Sequence, residues 1–75
     1  FNPTTTIDFS VPNNMQFILS VFDLQGRLVE TIISQEFSSG DYSIQYNANN
    51  LSSGIYFIQL KTSAFVDYSK IILLK

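Results

Sequence analysis

The most constraining feature of this chain is a period of two: short runs of alternating apolar and polar residues, each closed by glycine, proline, asparagine or serine. Alternation at that period gives a strand one apolar and one polar face, whereas a helix would repeat every three to four residues. Tyr42-Ser43-Ile44-Gln45-Tyr46 shows the pattern most cleanly and predicts one core face for Tyr42, Ile44 and Tyr46. Ile7 to Val11 alternates likewise, within a β-branched stretch that begins at Thr4 and ends at Pro12-Asn13-Asn14. From Met15 to Asp23, Phe17, Leu19 and Val21 share one face while Ile18, Ser20 and Phe22 share the other, which predicts a central strand covered on both sides.

Leu24-Gln25-Gly26-Arg27 reads as a hairpin turn with Gly26 free to take a positive φ, and Leu28-Val29-Glu30-Thr31-Ile32-Ile33 as the returning strand. A helix competes here, because Phe17, Val21, Leu24, Leu28 and Ile32 also fall near a helical spacing. Gly26 would cost that helix about 1 kcal/mol, and β-branched residues fill its second half, so a strand is preferred. Ser38-Ser39-Gly40-Asp41 marks the next join, and residues 47–54 form a polar crossing loop with Leu51 as its apolar anchor. Residues 55–62 form a strand with Tyr56, Ile58 and Leu60 on one face, and a turn near Ser63-Ala64 leads into a last strand through residues 65–75. No internal repeat is evident. Six to seven short strands at this spacing predict an all-β fold, an immunoglobulin-like antiparallel β-sandwich.

Seventy-five residues supply one core, so the chain is expected to be a single domain over residues 1–75. With 45% hydrophobic and 13% charged residues it lies far from the composition of disordered segments. The chain contains no cysteine and no histidine. Disulfides, thiolate zinc sites, the commonest general base and the commonest transition-metal ligand are excluded together. The formal charge is −2, and the four cations Arg27, Lys61, Lys70 and Lys75 are scattered, so no row of phosphates is matched and nucleic acid is not a partner. Apolar runs fall far short of the ~20 residues of a spanning helix, and no basic signal-peptide start is present. The start at Phe1 suggests a fragment or a matured product of a longer polypeptide.

Six carboxylates stand singly along the chain, and the serines lie outside any Gly-x-Ser-x-Gly elbow, so surface and turn roles are expected for both. Asp41, Asn47, Asn49 and Asn50 do not have the spacing of a calcium loop, and no cofactor is expected. Asn50-Leu51-Ser52 fits an N-glycosylation sequon, but turn formation suffices to explain it. A sugar-stacking platform is disfavoured because Tyr42, Tyr46 and Tyr56 are expected to face inward. The closing Ile71-Ile72-Leu73-Leu74 is apolar on both faces and bracketed by Lys70 and Lys75. Such a strand is either covered on both sides or leaves a face or an edge open to another protein.

Asn2-Pro3-Thr4-Thr5-Thr6-Ile7, Val21-Phe22-Asp23-Leu24-Gln25-Gly26-Arg27, Leu51-Ser52-Ser53-Gly54-Ile55-Tyr56-Phe57 and Lys70-Ile71-Ile72-Leu73-Leu74-Lys75, in this order, resemble the C-terminal sorting domains of the bacterial type IX secretion system. The likeness runs through the whole chain, although the family's opening usually extends a few residues upstream of Asn2-Pro3. The resemblance implies an immunoglobulin-like module at the C-terminus of secreted cargo. Such cargo reaches the periplasm by a separate N-terminal signal and is recognised by the outer-membrane translocon. It commonly loses the domain to a sortase-like peptidase that couples it to anionic lipopolysaccharide at the cell surface. By the same likeness the module is a substrate and not an enzyme. Recognition is expected to rest on Gly54, Tyr56, Lys70, Ile71, Ile72, Leu73, Leu74 and Lys75. A structural or adhesion sandwich, or a carbohydrate-binding one, is the alternative.

Overall fold

The computed structural model describes residues 4–74. Six strands and no helix make up the described chain: β1 Thr4–Val11, β2 Met15–Asp23, β3 Leu28–Phe37, β4 Gly40–Asn47, β5 Gly54–Lys61 and β6 Val66–Leu73. All pairings are antiparallel, in a two-stranded sheet β1-β4 and a four-stranded sheet β3-β2-β5-β6. The chain changes sheet at Pro12-Asn13-Asn14, at Ser38-Ser39 and along the 47–54 loop, where Leu51 is the buried anchor that the sequence predicts. Ala48, not anticipated, is buried beside it. This wiring is that of an immunoglobulin-type sandwich reduced to its B-E pair and its C′-C-F-G sheet.

β2 is central in the larger sheet, as its sequence predicts, and Phe17, Leu19 and Val21 are fully buried. The expectation that its second face is covered holds only in part: Ser20 is buried, whereas Ile18 and Phe22 are half-buried. A thin sandwich buries one face of each sheet, and the described residues form no third layer to lay over the other.

The β2-β3 turn is fixed by Asp23. Its carboxylate accepts the backbone N–H groups of Gln25 (3.0 Å) and Arg27 (2.9 Å) and the Arg27 Nε–H (2.9 Å), while Gly26 takes φ 85°. The Arg27 N–H, and then its guanidinium, hold the carboxyl below its ordinary range. Two irregularities follow in the β2-β3 register, where Ile32 and Val29 are left without partners. The first moves Glu30 to the core side opposite Val21. There it accepts the Tyr46 hydroxyl at 2.7 Å and ties the two sheets together. Burial, and then this carboxylate, push the Tyr46 phenol well above its ordinary range.

The core has an aromatic end, where Phe9, Phe17, Phe37 and Tyr42 interlock with ring centroids 4.7–5.9 Å apart. Phe65, in the β5-β6 turn, caps it edge-on to Phe17 at 6.3 Å. The other end holds Val21, Tyr46, Ala48, Leu51, Ile58 and Leu73, with Tyr56 and Ile71 packed against them.

Candidate functional site

β5 starts at Gly54, whose φ of 154° is one that side-chain-bearing residues rarely adopt. A Cβ there would lie 3.8 Å from Tyr56 Cε2, an ordinary contact, so the requirement for glycine is in the backbone and not in crowding. The Tyr56 ring leans back over Gly54 and its hydroxyl donates to the Ser52 carbonyl at 2.9 Å. A tyrosine at the start of this strand, bonded back to upstream main chain, is the tyrosine corner of immunoglobulin-type sandwiches.

The same device occurs at the start of β4. Gly40 has φ 147°, the Tyr42 ring leans over it, and the Tyr42 hydroxyl donates to the Ser38 carbonyl at 2.7 Å. Ser38-Ser39-Gly40-Asp41-Tyr42-Ser43-Ile44-Gln45 and Ser52-Ser53-Gly54-Ile55-Tyr56-Phe57-Ile58-Gln59 therefore share one pattern, which corrects the expectation of no internal repeat. The signal was in the sequence, as two Ser-Ser-Gly-x-Tyr runs, but it is eight residues long and shorter than a repeat-architecture unit.

β6 pairs with β5 so that Leu73 stands opposite Gly54, Ile72 opposite Ile55, Ile71 opposite Tyr56 and Lys70 opposite Phe57. The glycine-tyrosine motif and the tail, far apart in sequence, are thus side by side. The pleat then divides the tail. Ile71 and Leu73 face inward, and Leu73 is only 5% exposed. Ile72 and Leu74 point away from the core and are 56% and 68% exposed. Lys75 lies outside the described residues, as do Asn2 and Pro3. Of the expected recognition residues, Gly54, Tyr56, Ile71 and Leu73 belong to the packing of the strand, while Lys70, Ile72 and Leu74 are presented outward.

The outward residues do not stand alone. Cross-strand pairing aligns Leu28, Phe22, Phe57 and Lys70 in one row across all four strands, with Ile55 and Ile72 in the adjacent row. Leu24 and Leu28, at the β2-β3 turn, are 63% and 58% exposed. This end of the outer face is a contiguous apolar surface of the kind that marks interaction sites. Lys70 carries its charge and makes no ion pair among the described residues. Arg27 with Asp23 is the sole ion pair among the described residues. Phe22, Leu28, Ile55 and Phe57 were not singled out as site residues in the sequence, because their alignment on one surface is set by cross-strand register, which no single strand's pattern carries.

Among the described residues no group of three or more carboxylates is close enough to hold a metal ion, and no helix is long and apolar enough to cross a membrane. A family model described as a secretion system C-terminal sorting domain matches residues 2–74. No curated protein and no solved structure matches.

Proposed function

Because the chain belongs to the secretion system C-terminal sorting domain family, we propose that the outward half of its tail and the apolar surface beside it are what the outer-membrane translocon reads. Domains of this family are the C-terminal sorting signals of type IX secretion, and they mark cargo for transport across the outer membrane to the cell surface or the medium. They imply a translocon as partner and a cargo N-terminal to the domain. The reading of the surface is carried by one observation: Ile72 and Leu74 stand exposed beside Lys70, while the alternate tail residues turn inward, Ile71 half-buried and Leu73 buried. Lys70, Ile72 and Leu74 would be the contacts, continued onto Phe57, Phe22 and Leu28. Gly54, Tyr56, Ile71 and Leu73 would act through the fold, holding the strand in register. Lys75 would extend the contact at the tail.

In this reading residues 1–75 work as one module that is a substrate and not an enzyme. A sortase-like peptidase removes it after transport and couples the cargo to anionic lipopolysaccharide. Mass spectrometry of the mature surface protein would then find the module missing. Its retention would overturn the cleavage step. For recognition, a reporter fused to this chain carries Ile72→Ser and Leu74→Ser together. Export is expected to fall at least tenfold while the purified chain keeps its unfolding midpoint, and deletion of residues 71–75 abolishes export while periplasmic precursor accumulates. Normal export of the double variant would sink the assignment.

A further inference from the structure

Charge is distributed unevenly over the two outer faces of the sandwich. On the four-stranded sheet Lys61 stands between Ile18 and Val66, and Lys70 stands opposite Phe57, so the pleat turns both lysines away from the core. Both are exposed, and neither is ion-paired among the described residues. All six carboxylate side chains lie within the described residues, and all but one lie off this face. Asp8 and Asp41 face outward on the two-stranded sheet, where Asp41 accepts the Ser10 hydroxyl at 2.7 Å. Asp67 is on the inward side of β6 opposite Leu60, Glu30 on the core side accepts the Tyr46 hydroxyl, and Asp23 is paired with Arg27 in the turn. The exception, Glu36, faces outward opposite Gln16, at the far corner of the large sheet. Three strand spacings and six residues along a strand put it about 24 Å from Lys70, well beyond the screening length of about 8 Å. A chain of net charge −2 thus presents a positive apolar face.

We infer that the partner of this face is a protein surface that is apolar at its centre and carries aspartate or glutamate where Lys70 and Lys61 meet it. The inference rests on the assignment of the outer face as the recognised surface, and adds the chemistry of what recognises it. Lys70 ends the row of Leu28, Phe22 and Phe57, so a partner that covers those side chains also strips water from the ammonium group beside them. A cation taken out of water without an anion is costly, and this chain places none within reach, so the partner supplies it. The amide side chains of the same face are, by contrast, satisfied within the chain: Gln59 donates to the Tyr68 hydroxyl at 2.9 Å and Gln16 to the Ser34 hydroxyl at 3.3 Å.

Two other occupants fit less well. Recognition of anionic lipid by charge takes clusters of about four to eight lysines or arginines, and the described part of this face holds only Lys61 and Lys70. A second copy would bring two more lysines with one more carboxylate, leaving an excess of positive charge between the copies.

The test uses the reporter fused to this chain, with export and the unfolding midpoint measured for Lys70→Gln, Lys70→Glu and Gln45→Glu. Gln45 faces outward on the two-stranded sheet opposite Thr6, so Gln45→Glu changes net charge as much as Lys70→Gln does, but on the other side. Export is expected to fall about threefold for Lys70→Gln and at least about tenfold for Lys70→Glu, which sets like charges against each other. Gln45→Glu is expected to be exported like the parent, and all midpoints to stay unchanged. Lys61→Glu repeats the reversal at the second lysine, should Lys70→Glu lose its midpoint. Export of Lys70→Glu equal to that of Lys70→Gln, or an equal loss in Gln45→Glu, would overturn the acidic partner. The Ile72→Ser, Leu74→Ser variant in the same assay tells that failure from failure of the surface itself. Its continued loss of export leaves the surface standing with the partner's charge wrong, whereas its normal export removes both. Co-sedimentation of the purified chain with mixed phosphatidylcholine and phosphatidylglycerol vesicles, or its dimerisation in light scattering, abolished in either case by Lys70→Glu, would overturn the proposal in favour of a lipid surface or a second copy.

Discussion

Leu73 and Leu74 are adjacent and chemically identical, the last residue of β6 and the one just past it, yet truncating them to alanine should have unequal consequences. Leu73 is 5% exposed, opposite Gly54 and within the core. Leu73→Ala removes the equivalent of three buried carbons at about 0.8 kcal/mol each, plus a cavity contribution kept small because the strand end can relax. The expected loss is about 2–3 kcal/mol. A domain of this length is stable by roughly 4–11 kcal/mol, so the loss is a large share of the whole. Leu74 is 68% exposed, so Leu74→Ala forfeits about a third as much contact and should cost under about 1 kcal/mol. With a urea m-value near the low end, about 1 kcal/mol/M, Leu73→Ala should lower the midpoint by roughly 2–3 M and Leu74→Ala by less than about 1 M. Urea unfolding followed by far-UV circular dichroism measures both. Equal losses would refute the division of the tail into a buried and a presented face, and with it the choice of Ile72 and Leu74 as contacts.

Tyr56→Phe keeps the ring over Gly54 but removes the bond to the Ser52 carbonyl, and should cost about 1 kcal/mol; Tyr42→Phe should match it, since the geometry is the same. Unfolding curves indistinguishable from the parent would show that these corners do not hold the strand starts. Asp23 has a folded-state pKa below its ordinary 3.8, so its stabilisation is present above that value and is lost as pH falls through the folded pKa. The stability gap between the parent and Asp23→Asn should therefore close on acidification below about pH 3.8, and a gap independent of pH would exclude the charge-assisted turn. Tyr46 has its pKa raised above 10.0, so its contribution is complete below that pH and is lost as pH rises through the folded value. Alkaline unfolding should be steeper for the parent than for Tyr46→Phe, and identical slopes would contradict the part-buried Tyr46–Glu30 bond.

Much of the fold is a consequence of local pattern. The period of two placed Ile7, Phe9 and Val11, then Phe17, Leu19 and Val21, then Tyr42, Ile44 and Tyr46 on common faces, and each face is the one the core uses. Turn chemistry located the joins at residues 12–14, at 24–27 and at 38–41, because glycine and short polar side chains favour those backbone states over a strand. The sorting-domain resemblance was likewise legible, as four short motifs in order, and the family match bears it out.

What sequence could not determine is which of two apolar faces is covered. Phe17 and Phe22 lie on opposite faces of β2, one fully buried and one left on the open side, and nothing in their local pattern distinguishes them. That choice belongs to the opposing sheet, which has only two strands and can cover one face. The facing of Glu30 is equally non-local, since the unpartnered Ile32 reverses the alternation only when β3 is laid against β2. The alternating runs determined by themselves that the chain is a sandwich. Which side of Ile71-Ile72-Leu73-Leu74 is core and which is surface was decided by strand register and sheet size, because burial depends on what another part of the chain places opposite.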